Sequence, residues 1–402
     1  MKQINYIDIF AGCGGLSLGL YNAGLKGIFA IEKNKDAFST LSHNLIKNNS
    51  HFDWPEWLPI SEYDINVLMS RYQEQLKTLE GKIQLVAGGP PCQGFSMAGQ
   101  RKSNDQRNQL VKSYVKFIRI IKPEAIIFEN VRGFTVKFTQ ENGNEKKYSN
   151  YVVNALRRAG YKTAYRIIDM SEFGVPQSRK RFILVAMKNH DPNKLFSTLY
   201  KNKSNFLKTK NLSLPIFAED AISDLRKVHG MVNSPDTKNF KAGIYGPVVS
   251  SYQKLMREKN ASEIGCVVDS HRFVNHSDEI IKLHTELIEK AERGKRITPN
   301  DNVVNGLKRR GVTVLGKDKF VPTITSIPDE LVHYEEPRIL TVREHARIQS
   351  FPDWYQFKGK YTSGGKRRKL EVPRYTQVGN AVPPLFAEQI GLALKEVLND
   401  EK

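Results

Sequence analysis

Cysteine is scarce in this chain, acidic residues are outnumbered, and no apolar run approaches the length of a membrane span. The three cysteines, Cys13, Cys92 and Cys266, are too few and too scattered for a disulfide framework, and no Cys/His spacing suggests zinc ligands. Reduced thiols, a cytoplasmic setting and no bound metal are expected. A membrane span needs about 20 consecutive apolar residues and none is found; nor does a hydrophobic signal region open the chain.

The shortage of acid leaves 62 lysines and arginines against 42 aspartates and glutamates, a net charge of +20. Such a surface attracts a polyanion through counterion release, so nucleic acid is the first partner to consider. Composition alone leaves open that the charge only maintains solubility. At 402 residues and 40% hydrophobic content, the chain can bury one large core, with a second, smaller domain in the remainder.

Residues 1 to about 188 repeat one theme: an apolar strand, a glycine-rich or polar loop, then an amphipathic helix. That pattern predicts an open parallel sheet with its site loops at the strand ends. Strands are predicted at Tyr6–Phe10, Ile28–Ile31, around Ile83–Val86, at Ala125–Phe128 and at Arg181–Met187. Leu110, Tyr114, Phe117, Ile118 and Ile121 mark one helix face, stopped by Pro123. From about 190 to 336 the chain reads as polar and loop-rich, with basic groups at 293–296 and 308–310. A final stripe of Phe386, Ile390, Ala393 and Val397 predicts a helix returning to the first domain.

Several residues in this frame suit chemistry. The loop Ala11–Gly15 after the first strand lets backbone approach a ligand, and the following helix offers its positive end. Ser17 stands where a dinucleotide fingerprint would have its third glycine or alanine, while Glu32 at the end of strand two suits ribose hydroxyls. A nucleoside cofactor is indicated without its identity. Cys92, inside GGPPCQGFS, follows two prolines in a strand-end loop and suits a nucleophile; the plain alternative is an inert buried thiol. Glu129 ends an apolar strand, where a carboxylate is a poor core residue. Gln177, Arg179 and Arg181 alternate, so an extended backbone places them on one face, able to meet one anionic or carbonyl-bearing ligand.

Taken in order, DIFAGCGGLSLGL (8–20), GGPPCQGFS (88–96), ENV (129–131), QSRKRFILVA (177–186), TVREHARIQSFPD (341–353) and QVGNAVPP (377–384) resemble the ordered motifs of the cytosine-5 DNA methyltransferases. The resemblance implies an α/β, Rossmann-like S-adenosylmethionine-dependent methyltransferase sheet, residues 1–188 plus 375–402, and a smaller, loop-rich target-recognition domain with its return segment, residues 189–374. It implies S-adenosylmethionine held by Phe10, Gly12, Gly14 and Gly15, with Glu32 on the ribose, Asp64 at the adenine amino group, Pro91 nearby, and Asn380 and Val382 closing the site. Cys92 becomes the nucleophile and Glu129 the group at ring nitrogen 3. Arg179 and Arg181 support the cytosine carbonyl and adjacent phosphate. Ser96, Gln100 and Gln177 are candidate DNA contacts, and Thr323 with Ile324 resembles the family's recognition pair. The loop from Gln93 to Arg101 is a candidate cover for the extruded base. Lys33 departs from the family pattern, since many relatives carry an aromatic there to stack on adenine.

The implied activity is methylation of carbon 5 of cytosine in duplex DNA by a monomer associated with the nucleoid, with a cognate restriction endonuclease acting on the same site. Alternatives are the same chemistry on transfer RNA, or a DNA-binding protein without catalysis. An amino-group methyltransferase would carry [Asp/Asn/Ser]-Pro-Pro-[Tyr/Phe] where this chain has Pro-Pro-Cys.

Overall fold

The computed structural model describes residues 3–91, 107–136, 138–139, 145–259, 264–307, 311–363 and 371–400. Two compact units emerge: residues 1–169, 180–206 and 386–402 form the first, residues 170–179 and 207–385 the second. Residues 170–179 and 375–385 belong to the second unit and residues 189–206 to the first, where the sequence division runs at 188 and 374.

The first unit is built on a six-stranded sheet. Its strands are β1 (Asn5–Ile9), β2 (Lys26–Ile31), β3 (Leu85–Gly88), β4 (Ala125–Val131), β5 (Lys162–Asp169) and β6 (Lys180–Met187), in the order β2-β1-β3-β4-β6-β5. The first four pair in parallel, and β6 runs antiparallel to both β4 and β5. The departure from an all-parallel sheet has a topological cause. Only the short segment 170–179 joins β5 to β6, with no crossover helix to bring the chain back in the same direction. Edge strand β5 exposes Tyr165 and Ile167 and buries Ala164 and Ile168, too mixed a pattern to predict.

Apolar alternation buries Ile7 and Ile9 of β1 together with Val86, Ile126 and Phe128 in one core. Helix α1 (Gly15–Asn22) follows β1, and α2 (Arg107–Ile121) precedes β4. Tyr114, Phe117, Ile118 and Ile121 of α2 are buried at the expected helical spacing, and Leu110 packs partly buried at its start. Inside the stretch expected to be loop-rich lies a helix, α3 (Pro192–Thr209), whose Leu195, Phe196 and Leu199 are buried. Its many lysines and asparagines hid this stripe.

The last helix, α4 (Pro384–Asn399), buries Phe386, Ile390, Ala393 and Val397. Gly391 lies against α1, where an added Cβ would come 2.9 Å from Ala23 and 3.1 Å from Leu20. Ion pairing of Lys194 with Asp400 at 2.9 Å joins α3 to the chain's end.

The second unit carries two three-stranded sheets, one of Met231–Asn233, Lys241–Ile244 and Val267–Arg272, the other of Arg296–Ile297, Val312–Val314 and Leu331–Val332. At its centre is the helix Val342–Ile348, every residue of which is buried. Burying its charges is tolerable because each is paired. Arg338 grips Glu344 with two bonds of 2.7 Å, and Arg347 bonds Asp353 at 2.5 and 2.6 Å and Asp224 at 3.2 Å. Among the described residues no helix is long and apolar enough to cross a membrane.

Replacing Gly391 by Val should overpack the contact with α1 and cost about 1–3 kcal/mol. A melting temperature equal to the parent's would show that the two helices can separate freely.

Candidate active site

The site's first wall is the loop between β1 and α1. Phe10 leaves the strand with φ 60°, Gly12 follows at φ 57° and Gly14 at φ 89°, so the chain turns sharply before the helix starts. Glu32, at the end of β2, secures this loop: its carboxylate accepts the Gly12 N–H at 2.9 Å and the Asn34 N–H at 2.7 Å. Burial raises its pKa against the pull of those bonds. Below them Asp8 of β1 is fully buried and accepts the Ser17 hydroxyl at 2.5 Å, while its other oxygen has no hydrogen-bond partner among the described residues. Burial pushes the Asp8 carboxyl up to about 7.

Asp64 caps the helix Ile65–Arg71 by accepting the Asn66 N–H and also pairs with Lys33 at 3.0 Å. Burial works to raise its pKa, but the bonds from Lys33 and Asn66 outweigh it and the pKa falls. Lys33, which departs from the family pattern, is thus a partner for Asp64.

A second wall is formed where β3 meets β4. Gly88 has φ 124°, and a Cβ there would lie 1.9 Å from the carbonyl oxygen of Ile9. At Gly89 it would lie 1.8 Å from the carbonyl oxygen of Glu129. Only glycine permits both approaches, which seat the start of the 88–96 loop on the ends of β1 and β4. Asn130 is buried and donates to the Pro90 carbonyl at 3.1 Å, while Pro91 is exposed. The Glu129 side chain is half-buried and meets Arg181 Nε at 3.1 Å, and the Arg181 guanidinium also donates to the Lys180 carbonyl. The register of β4 on β6, Glu129 opposite Ile183 and Val131 opposite Arg181, puts the pair on one face as diagonal neighbours. Cys92, Ser96, Gln100, the rest of 93–101 and the basic group 308–310 lie outside the described residues.

Gln177 and Arg179 come together, Arg179 donating to the Gln177 side-chain oxygen at 3.4 Å, while Arg181 pairs with Glu129. Strand β6 begins only at Lys180, and Gln177 instead bridges to Val321 in the second unit. Arg179, expected on a substrate carbonyl, is 1% exposed. Its guanidinium donates to the carbonyls of Ile324 at 3.2 Å, Gly379 at 3.0 Å and Ala381 at 3.1 Å. Gln177, expected on DNA, is fully buried, giving its amide hydrogen to Gln349 at 2.9 Å and accepting the Ile324 N–H at 2.8 Å. Ile324 is likewise buried, and the Thr323 hydroxyl donates to the Ser178 carbonyl at 2.7 Å. These groups hold the protein to itself in this structure, with Gln177 and Ile324 both buried. Asn380 ends the helix Arg374–Asn380 exposed, and Val382 is half-buried.

The family model for C-5 cytosine-specific DNA methylase matches residues 4–396. The chain belongs to this family. It is a DNA cytosine-5 methyltransferase. The Type II methyltransferase M.DdeI of Desulfomicrobium norvegicum is 32% identical over 96% of this chain and 87% of its own length. M.XorII of Xanthomonas oryzae pv. oryzae is 29% identical over 98% and 84%. Among solved structures, a prophage-encoded DNA modification methyltransferase from E. coli has TM-score 0.69 at 22% identity, covering 99% of this chain and 100% of that one. The Dnmt2 methyltransferase of S. pombe has TM-score 0.55 at 16% identity, with coverage of 99% and 100%. Both share the fold.

The family implies S-adenosylmethionine as methyl donor, and the first wall of this methyltransferase fits such a group. Among the described residues nothing lies within 4 Å of where a Gly12 Cβ would stand, which leaves room for a ligand at the loop. Glu32 gives each oxygen to one backbone N–H and retains acceptor capacity for hydroxyls. Asp8 and Asn130, which lie within DIFAGCGGLSLGL and ENV, join the site without having been among the expected residues. A carboxylate inside an apolar strand was the available signal for Asp8.

Because the folded pKa of Asp8, about 7, lies above the ordinary 3.8, the fold favours its protonated form. Its contribution is complete below the ordinary value and is lost as pH rises through 7. Asp8→Asn should therefore gain stability relative to the parent between pH 5 and pH 8, measured by urea midpoints; a difference constant across that window would refute the buried, protonated carboxyl.

Proposed function

We propose that this methyltransferase modifies carbon 5 of a cytosine within a specific duplex DNA sequence, after rotating the base out of the helix. It serves as the modification half of a type II restriction–modification pair. The observation that carries the reading is the seating of Gly89 on the Glu129 carbonyl. It starts the loop that leads to Cys92 at the backbone of the carboxylate expected to meet ring nitrogen 3. Support for duplex DNA and for the pairing with an endonuclease comes from the Type II methyltransferases to which the chain is similar and from the +20 charge. The cytoplasm, where that DNA lies, is the expected compartment.

Carbon 5 of cytosine is a weak nucleophile in the intact ring. Addition of the Cys92 thiolate at carbon 6 pushes electrons toward nitrogen 3, where Glu129 relieves the charge by a hydrogen bond or proton, leaving carbon 5 enamine-like. Arg181 keeps Glu129 aimed along the strand end and presents its remaining donors toward the ring carbonyl and neighbouring phosphate. Arg179 acts at a distance, as a strut among backbone carbonyls. S-adenosylmethionine, when bound, supplies an electrophilic sulfonium methyl that carbon 5 accepts. Phe10 and the backbone of Gly12, Gly14 and Gly15 would flank it, Glu32 would take its ribose and Asp64 its adenine amino group, with Pro91, Asn380 and Val382 closing around it. Loss of the carbon 5 proton to water returns the electrons that expel Cys92. Extruding the base costs about a few kcal/mol of stacking and pairing. Ser96, Gln100 and Thr323 are proposed as the polar contacts to the opened duplex.

Duplex DNA containing 5-fluorocytosine in the target site should trap a covalent protein–DNA adduct, because the fluorine cannot leave as a proton does. The parent protein should give the adduct on denaturing gels and Cys92→Ala should give none; turnover by Cys92→Ala would overturn the mechanism.

A further inference from the structure

The helix Val342–Ile348 ends in two residues for which the reaction scheme has no role. Gln349 is fully buried, and both ends of its amide are engaged. The oxygen accepts from the Gln177 amide at 2.9 Å, and the nitrogen donates to the Val378 carbonyl at 2.8 Å, with the Ala381 carbonyl at 3.4 Å. Ser350 adopts φ 61°, a strained value for a residue with a side chain, and its hydroxyl accepts the Leu385 N–H at 3.1 Å. One side chain therefore holds the chain just before Asn380 and the other holds it just after Pro384. Between them the backbone of 379–384 is bracketed. From below, Gly379 packs so closely that a Cβ would lie 2.2 Å from the Thr325 carbonyl oxygen.

A turn at a helix end presents carbonyls that water would otherwise satisfy, and an unsatisfied buried carbonyl is costly. Here those of Val378, Gly379 and Ala381 are satisfied by side chains of Gln349 and Arg179. The turn's own outward groups, exposed Asn380 and half-buried Val382, make none of these bonds. Among the described residues these side-chain bonds go to the turn's backbone carbonyls and leave the Asn380 and Val382 side chains out.

We propose that Gln349, assisted by Ser350, is a positioning residue for S-adenosylmethionine, setting the 378–382 turn so that Asn380 and Val382 are preformed for the cofactor. The inference rests on the reading that Asn380 touches the cofactor. Gln349→Met keeps length and volume and removes both hydrogen-bonding ends. Binding of S-adenosylhomocysteine, measured by calorimetry on the full-length protein, should weaken about tenfold in this variant. KM for S-adenosylmethionine should rise similarly, with kcat at saturation and the dissociation constant for duplex DNA within about twofold of the parent's. A lower melting temperature is expected on either account, because the buried Gln177 amide and Val378 carbonyl lose a partner; a merely structural role would disturb all four quantities together, and that result would overturn the proposal.

Asn380→Ala separates the two claims. If it leaves S-adenosylhomocysteine binding unchanged, the reading of Asn380 fails and the inference with it. If Asn380→Ala weakens binding and Gln349→Met does not, only the inference fails. The double variant should be no weaker than about the worse single one, because a misplaced Asn380 has little left to lose; fully additive losses would oppose the proposal. Should Gln349→Met not fold, Ser350→Ala removes the other bracket and is expected to weaken the same binding about threefold, unchanged affinity counting against it.

Discussion

The buried guanidinium of Arg179 is the joint on which the second unit depends. Removing a guanidinium from water is expensive, and the cost is offset only where its donors meet acceptors in good geometry. Arg179 meets carbonyls from the 321–325 segment and from the turn after the helix Arg374–Asn380, while Gln177 beside it takes the Ile324 N–H and gives to Gln349. Segments far apart in sequence are thereby locked together. A lysine could not replace this arrangement, since a single ammonium lacks the planar fork that reaches several carbonyls at once.

The first unit solves a different problem with carboxylates. Three stand at or near strand ends, and their surroundings separate their behaviour. Asp8 is buried with one hydroxyl partner and is pushed up to about 7. Glu32 is buried too, but two backbone N–H groups oppose the rise. Glu129 is half-buried and paired with Arg181. Burial, backbone bonding and ion pairing thus give one residue class three distinct uses: tying α1 to β1 through Ser17, shaping the glycine loop from the side, and standing beside Arg181 at the sheet's edge.

Legibility in the sequence followed how local each signal was. The strands β1, β2, β3 and β4, the face of α2 and the stripe of α4 rest on apolar periodicity, which one segment carries by itself; their expected bounds agree within two residues, except that β4 continues three residues past Phe128. Helix α3 was lost because lysine and asparagine dominate its exposed side. The antiparallel placement of β6 was lost because direction is set by the length of a connection and by pairing partners, neither of which the strand encodes. For the site, Glu129 with Arg181 and Glu32 with the glycine loop came together as their motifs suggested. Gln177 and Arg179 also meet, but around the Ile324 backbone and not beside Arg181, because the strand starts only at Lys180.

By itself the sequence determined the ordered motifs, and hence the family, the apolar framework of the sheet, and the residue types available for thiol and acid chemistry. These depend on the identity and spacing of neighbours along the chain. Tertiary structure alone decided which polar groups face a ligand and which bind the protein to itself. A buried carbonyl must find a donor wherever packing brings one, and that demand, arising from segments up to 200 residues apart, drew Arg179 inward to Gly379 while Arg181, two positions on, remained beside Glu129.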